Sequence, residues 1–111
     1  MVAVLWPWSA MLVRGPSMVP TLRSGDQVLV RRGGRVRPGD VVVARFRTGP
    51  APVVVKRAGH EQDGGWYVRS DNPYAGGDSA THGAADVLGR VVLRYWPRPR
   101  WPMPPAPDQR L

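Results

Sequence analysis

No apolar run in this sequence travels far before a glycine, a proline or an aspartate stops it, and that punctuation limits what the chain can fold into. Residues 9–14, 27–32, 41–47, 52–58, 65–70 and 87–95 are apolar or alternating stretches of strand length, many of them built on valine. Between them stand RSGD, RGGRVRPGD, RTGPAP, EQDGG and SDNPYAGGDS. Glycine supplies positive φ, proline presets a turn, and Asp or Asn folds its side chain back on the backbone, so each cluster reads as a reversal of direction. Nothing in the chain sustains the 3.6-residue period of an amphipathic helix, and there is no internal repeat. In 111 residues that pattern predicts one all-β domain, a small, coiled, partly open β-barrel.

The ends behave differently. The N-terminal MVAVLWPWSAMLV is apolar but shorter than the roughly 20 residues that a spanning helix needs, and Pro7 interrupts it. It has neither the basic start nor the small-residue cleavage site of a secretory signal. It reads as a strand entering the core with an exposed Trp-Pro-Trp edge, whose Trp6 and Trp8 suit a shallow, non-spanning membrane contact. A cytoplasmic location is the expectation. At the other end, WPRPRWPMPPAPDQRL cannot build a core of its own. The expected division is a domain over 1–95 and a Pro/Trp/Arg-rich tail over 96–111. That tail is either disordered or docked through Trp96 and Trp101.

Composition excludes some chemistry. With no cysteine there are no disulfides and no thiolate metal sites. His60 and His82 are isolated and match no metal-ligand spacing, so neither metal nor cofactor is expected. The net charge of +8 suits an acidic peptide, a nucleic acid or an anionic membrane, or only a solvated basic surface.

One cation stands apart. Fifteen of the sixteen basic side chains are arginine, and the single lysine is Lys56, in APVVVKRAG. Arginine does not deprotonate in proteins, whereas a desolvated lysine can lose its proton and act as a base. Lowering a lysine from ~10.4 by about three pH units costs on the order of 4 kcal/mol. In a strand, Val54, Lys56 and Ala58 share one face and Val53, Val55 and Arg57 the other, and the pattern leaves open which face is inside. Upstream, GPSMVPTLRSGD places Ser17 between Pro16 and Met18, with Pro20 close behind. The prolines stiffen the segment, Gly15 leaves room for a substrate backbone, Met18 offers an apolar wall, and the Ser17 N–H suits a developing oxyanion. Each residue also has a plainer reading, a turn hydroxyl and a lysine snorkelling at a strand end.

Taken together, GPSMVPTLRSGDQVLV, RPGDVVVARF, VVKRAG and SDNPYAGGDSATHG resemble, in order, four segments of the type I signal peptidase superfamily of serine–lysine peptidases, over about residues 10 to 95. The resemblance implies the β-fold of the signal peptidase catalytic core, with Ser17 as nucleophile and Lys56 as general base. It places Gly15, Pro16 and Met18 at the oxyanion and substrate side. Arg57, Asp71, Asn72, Asp78 and Ser79 become supports, with Asp78 pairing Arg57. The chain departs from the family at Gly15, where many members carry a hydroxyl. It departs again at Gly76, where a serine often orients the lysine, at Ala80 in place of an arginine, and at Ser70 in place of a glycine.

The chain's brevity, its GPSMVPTL form, DGGWYVRSDNP and the ending VVLRYWPRPR look most like the small nickel-type superoxide dismutase maturation peptidases. That likeness implies an endopeptidase that removes an N-terminal leader from a partner protein, bound as an extended peptide, here the dismutase precursor. The alternatives are a general signal-peptidase-like processing enzyme, a self-cleaving repressor-type domain, or a basic β-barrel binding nucleic acid on tryptophan platforms. Nucleic acid is not the expected partner.

Overall fold

The computed structural model describes residues 7–48 and 53–107. Six strands and one helical turn succeed one another: β1 (Trp8–Leu12), β2 (Gln27–Arg32), β3 (Val41–Phe46), β4 (Val54–Gln62), β5 (Gly65–Arg69), α1 (Ser79–His82) and β6 (Ala85–Trp96). The strands fall where the apolar runs stand. All pairings between them are antiparallel, in the order β1-β2-β6-β3-β4-β5, and β6 also touches β5 through Trp66 and Ala85. The second contact closes β3, β4, β5 and β6 into a small ring, while β1 remains an open edge. The architecture is therefore the nearly all-β, partly open barrel expected.

Two apolar clusters fill it. One gathers Val13, Met18, Leu22, Val28, Val30, Val41, Val43, Val55 and Val91; the other gathers Val42, Ala44, Phe46, Ala58, Val68 and Ala85. Successive residues of β3 alternate between them, so this strand is buried on both faces and forms the wall between two cores. β4 behaves alike: Val55 joins the first cluster and Ala58 the second. The face of β4 that the sequence left undecided is thus settled in favour of both. Each fully buried valine contributes roughly 1.5–3 kcal/mol, which is how a domain this small keeps a charged pair inside.

Close approach explains two glycines. A Cβ at Gly65 would lie 2.5 Å from the Ala85 carbonyl oxygen, where the ring closes. One at Gly89 would lie 2.8 Å from both the Arg31 carbonyl oxygen and the Val30 Cγ1, where β2 crosses β6.

Several expectations change. β4 runs on to Gln62, past the expected end at residue 58. The true reversal is Asp63-Gly64, with φ of 52° and 78°, the two positive values that a tight hairpin turn takes. A bulge between Ala58 and His60 carries the strand through Gly59. The stretch expected to lack helix holds the single turn α1, capped by Asp78 accepting from the Ala80 N–H. Pro52 and most of RTGPAP lie outside the described residues, as does Trp6.

The tail folds back on the barrel. Arg94 and Arg100 exchange backbone hydrogen bonds of 3.1 and 2.9 Å, and Met103 packs against the first cluster. Trp96 and Trp101 are 55% and 71% exposed, so the docking is not done by the tryptophans. Among the described residues no helix is long and apolar enough to cross a membrane. Trp8 sits at the sheet edge with the Arg31 guanidinium 5.6 Å from its ring centroid.

Candidate active site

Ser17 lies on the bend between β1 and β2, and the bend is pinned on all sides. Val13 N–H donates to the Asp26 carbonyl and Gly25 N–H to the Val13 carbonyl, both at 2.8 Å. Gly15 takes φ +82°, a left-handed value that a side chain would strain, and its N–H donates to Ser24 Oγ at 3.2 Å. Beyond the serine, Val19 N–H reaches back to the Pro16 carbonyl and Leu22 N–H to that of Met18. Met18 is buried in the first core cluster, so it forms the floor beneath the serine rather than a mobile wall. Among the described residues nothing accepts a hydrogen bond from the Ser17 N–H.

Asn72 holds the same bend from the opposite loop. Its backbone N–H donates to the Ser17 carbonyl at 2.9 Å and its Nδ2 to the Pro16 carbonyl at 3.1 Å, while its Oδ1 accepts from Tyr74 N–H. Pro16 therefore contributes a carbonyl as well as a fixed angle.

Lys56 is 4% exposed on β4. Its Nζ donates to Ser70 Oγ at 2.9 Å, and Ser70 Oγ in turn donates to the Gly76 carbonyl at 3.4 Å. Burial pushes the amine below its ordinary value of 10.5, and the nearby Asp78 carboxylate partly opposes this. Gly77 leaves the space beside the amine open: a Cβ there would come within 3.8 Å of Nζ. Ser17 and Lys56 line one cleft of about 370 Å³, together with Met11, Leu12, Val13 and Arg14 on one side and Val53, Val54 and Val55 on the other. Lys56 makes its hydrogen bond to Ser70, and none to Ser17 Oγ is formed among the described contacts.

Ser70 is the residue that sequence reading undervalues. It registers there only as a lost glycine, and Gly76 as a lost serine. In the folded chain the two departures compensate: Ser70 supplies the hydroxyl on the amine and Gly76 supplies the carbonyl that holds that hydroxyl. The available signal was a serine appearing in the same loop from which one had vanished.

The expected Asp78–Arg57 pair does not form. Arg57, itself 1% exposed, pairs with Asp71 through Nε–Oδ1 at 3.1 Å and Nη2–Oδ2 at 2.7 Å. The reason is topological: Asp71 lies two residues past Arg69, the β5 residue paired with Arg57, whereas Asp78 is drawn away as the α1 cap. Asp71 Oδ2 also accepts from Thr21 Oγ1, which joins the Ser17 bend to β4. The other Arg57 arm donates to the carbonyls of Gly39 and Pro104, at 3.0 and 2.8 Å. Ser79 is buried and its Oγ accepts from Val68 N–H at 2.8 Å, fastening α1 to β5. Among the described residues no three His, Asp or Glu side chains gather where a metal ion could sit.

Residues 8–92 match the peptidase S24-like family, a span that begins with β1 and takes in the Ser17 bend, Lys56 and the Ser70–Ser79 loop. The chain belongs to the peptidase S24-like family. Membership supports a serine-peptidase-like or self-cleaving domain in general. The matched span of this S24-like chain ends inside β6, before the tail. A search of curated proteins returns no match.

Proposed function

We propose that this S24-like domain is a serine endopeptidase in which Ser17 attacks a peptide carbonyl and Lys56 takes its proton. Lys56 then donates that proton to the leaving amine and activates the water that releases the acyl group. The observation that carries the reading is the state of the chain's one lysine: buried, depressed by burial, fixed by Ser70, and in the same cleft as Ser17. The free Ser17 N–H is available to a developing oxyanion.

The cleft also suits an extended substrate. β1 is an unpaired edge, and residues 53–56 lack a β5 partner because β5 joins β4 only from Arg57 onward. A peptide laid between these two edges gains backbone hydrogen bonds and places alternate side chains over Val13, Met18 and Val55. The substrate we propose is an N-terminal leader on a partner protein, specifically the nickel superoxide dismutase precursor, which the likeness to the small maturation peptidases suggests.

Intact-mass analysis of that precursor, incubated with the protein and separately with a Ser17→Ala variant, tests both levels. Loss of an N-terminal leader, with the parent only, is the expected result. Cleavage by both proteins removes Ser17 from the mechanism. Cleavage of other leaders but not this one leaves a general processing peptidase.

A further inference from the structure

We infer that the proline-rich tail is a positioning strap for the candidate active site, acting from behind through Arg57. This rests on the peptidase reading and extends it to a segment beyond the matched span. The connection is a series of hydrogen bonds joined at one point by the Asp71–Asn72 peptide link. The Pro104 carbonyl accepts from Arg57 Nη1 at 2.8 Å. Arg57 holds Asp71 with two further bonds, Asp71 holds Thr21, and the adjoining Asn72 holds the carbonyls of Pro16 and Ser17. Arg57 is also the immediate neighbour of Lys56 on β4. One guanidinium therefore fixes the strand that carries the amine and the bend that carries the hydroxyl, and the tail supplies one of its acceptors.

The tail also lies over this network, where the Pro104 carbonyl satisfies a donor of the buried pair. Arg57 and Asp71 side chains are both 1% exposed, a state an ion pair keeps only when every donor is satisfied and the pair is covered. Pro105 and Ala106 line one open cavity with Gly39, Ala58 and Gly59, and Ala106 and Pro107 line another with Ser70 and Asp71. The segment thus passes behind the residue that orients Lys56 as well as behind Arg57. It is anchored away from the cleft by the Arg94–Arg100 bridge and by Met103. With the strap released, water reaches the ion pair, β4 loosens, and the amine returns toward its ordinary protonation. The charged groups around Lys56 are Asp78, which favours the protonated form, and the Arg57–Asp71 pair on its neighbour.

The test keeps the full chain and detaches the strap at points that touch neither Ser17 nor Lys56. Arg100→Pro removes the N–H that donates to Arg94, and Met103→Asp expels the anchor from the core. Because Lys56 is the only lysine, isotope-labelled lysine reports its titration as a single resonance, with no substrate present. The double variant is expected to retain the sheet, to lower kcat about tenfold or more with KM little changed, and to raise the Lys56 titration midpoint toward that of an ordinary lysine. Narrow tail resonances would show that the strap has left. A released strap with kcat and the Lys56 midpoint both unaltered overturns the inference. If the double variant does not fold, Arg100→Pro alone carries the same comparison. Should neither parent nor variant cleave a precursor, the peptidase reading is in question, while the Lys56 midpoint still decides for or against the strap.

Discussion

Lys56 shows how a single side chain is given a chemistry that its fifteen basic companions lack. Burial drives the amine toward neutrality, Asp78 opposes it, and Ser70 fixes its direction. The base form is the deprotonated one and burial lowers the pKa, so activity should rise with pH through a midpoint below that of ordinary lysine. Asp78→Asn retains an N-cap acceptor for α1 but removes the charge, so the midpoint should fall further. A pH–rate profile that is flat, or that moves upward in Asp78→Asn, contradicts the assignment. Lys56→Arg should abolish cleavage with the fold retained, since the guanidinium keeps its proton. At this scale the sequence singles out Ser17 and Lys56, because their neighbours form a recognisable run, and the fold sets both on one cleft. It could not carry Ser70 or the Arg57–Asp71 pair, whose meaning depends on which loop atoms meet after folding.

Among the elements, β6 and its crossings are the most demanding. Gly89 lets β2 pass over β6, and Gly89→Ala forces a Cβ to 2.8 Å from backbone and side chain together. Overpacking of this kind costs about 1–3 kcal/mol, which should appear as a lower midpoint in urea unfolding. An unchanged midpoint would mean that the two strands separate easily there. The strands themselves were legible because valine-rich runs end at glycine and aspartate. The extension of β4 was not, since Gly59, His60 and Glu61 resemble a loop. They are held as strand by the β5 ladder, with His60 stacked on Tyr67 at 4.9 Å between ring centroids. The tail was illegible for a similar reason: its decisive contact is a backbone carbonyl, which no side-chain pattern reveals.

For the molecule as a whole, the net charge of +8 is poorly neutralised within the fold. The described ion pairs are Arg47–Asp86, Arg57–Asp71 and Arg94–Asp26, and only the second has both partners fully buried. Stability must therefore come from the two valine-rich cores, which share β3 and β4 as a common wall. Cores joined in this way should melt together: calorimetric and van't Hoff enthalpies are expected to agree, and two separable transitions would show the cores to be independent. The twelve-residue β6, bonded in turn to β5, β3 and β2, has a consequence for the order of synthesis. Among the described strands it is the last to be made, and until it arrives β2 and β3 have no common neighbour and the ring has no closing side. A nascent chain emerging from the ribosome can form hairpins but not the barrel, so assembly of the Ser17–Lys56 cleft waits until β6 has been made.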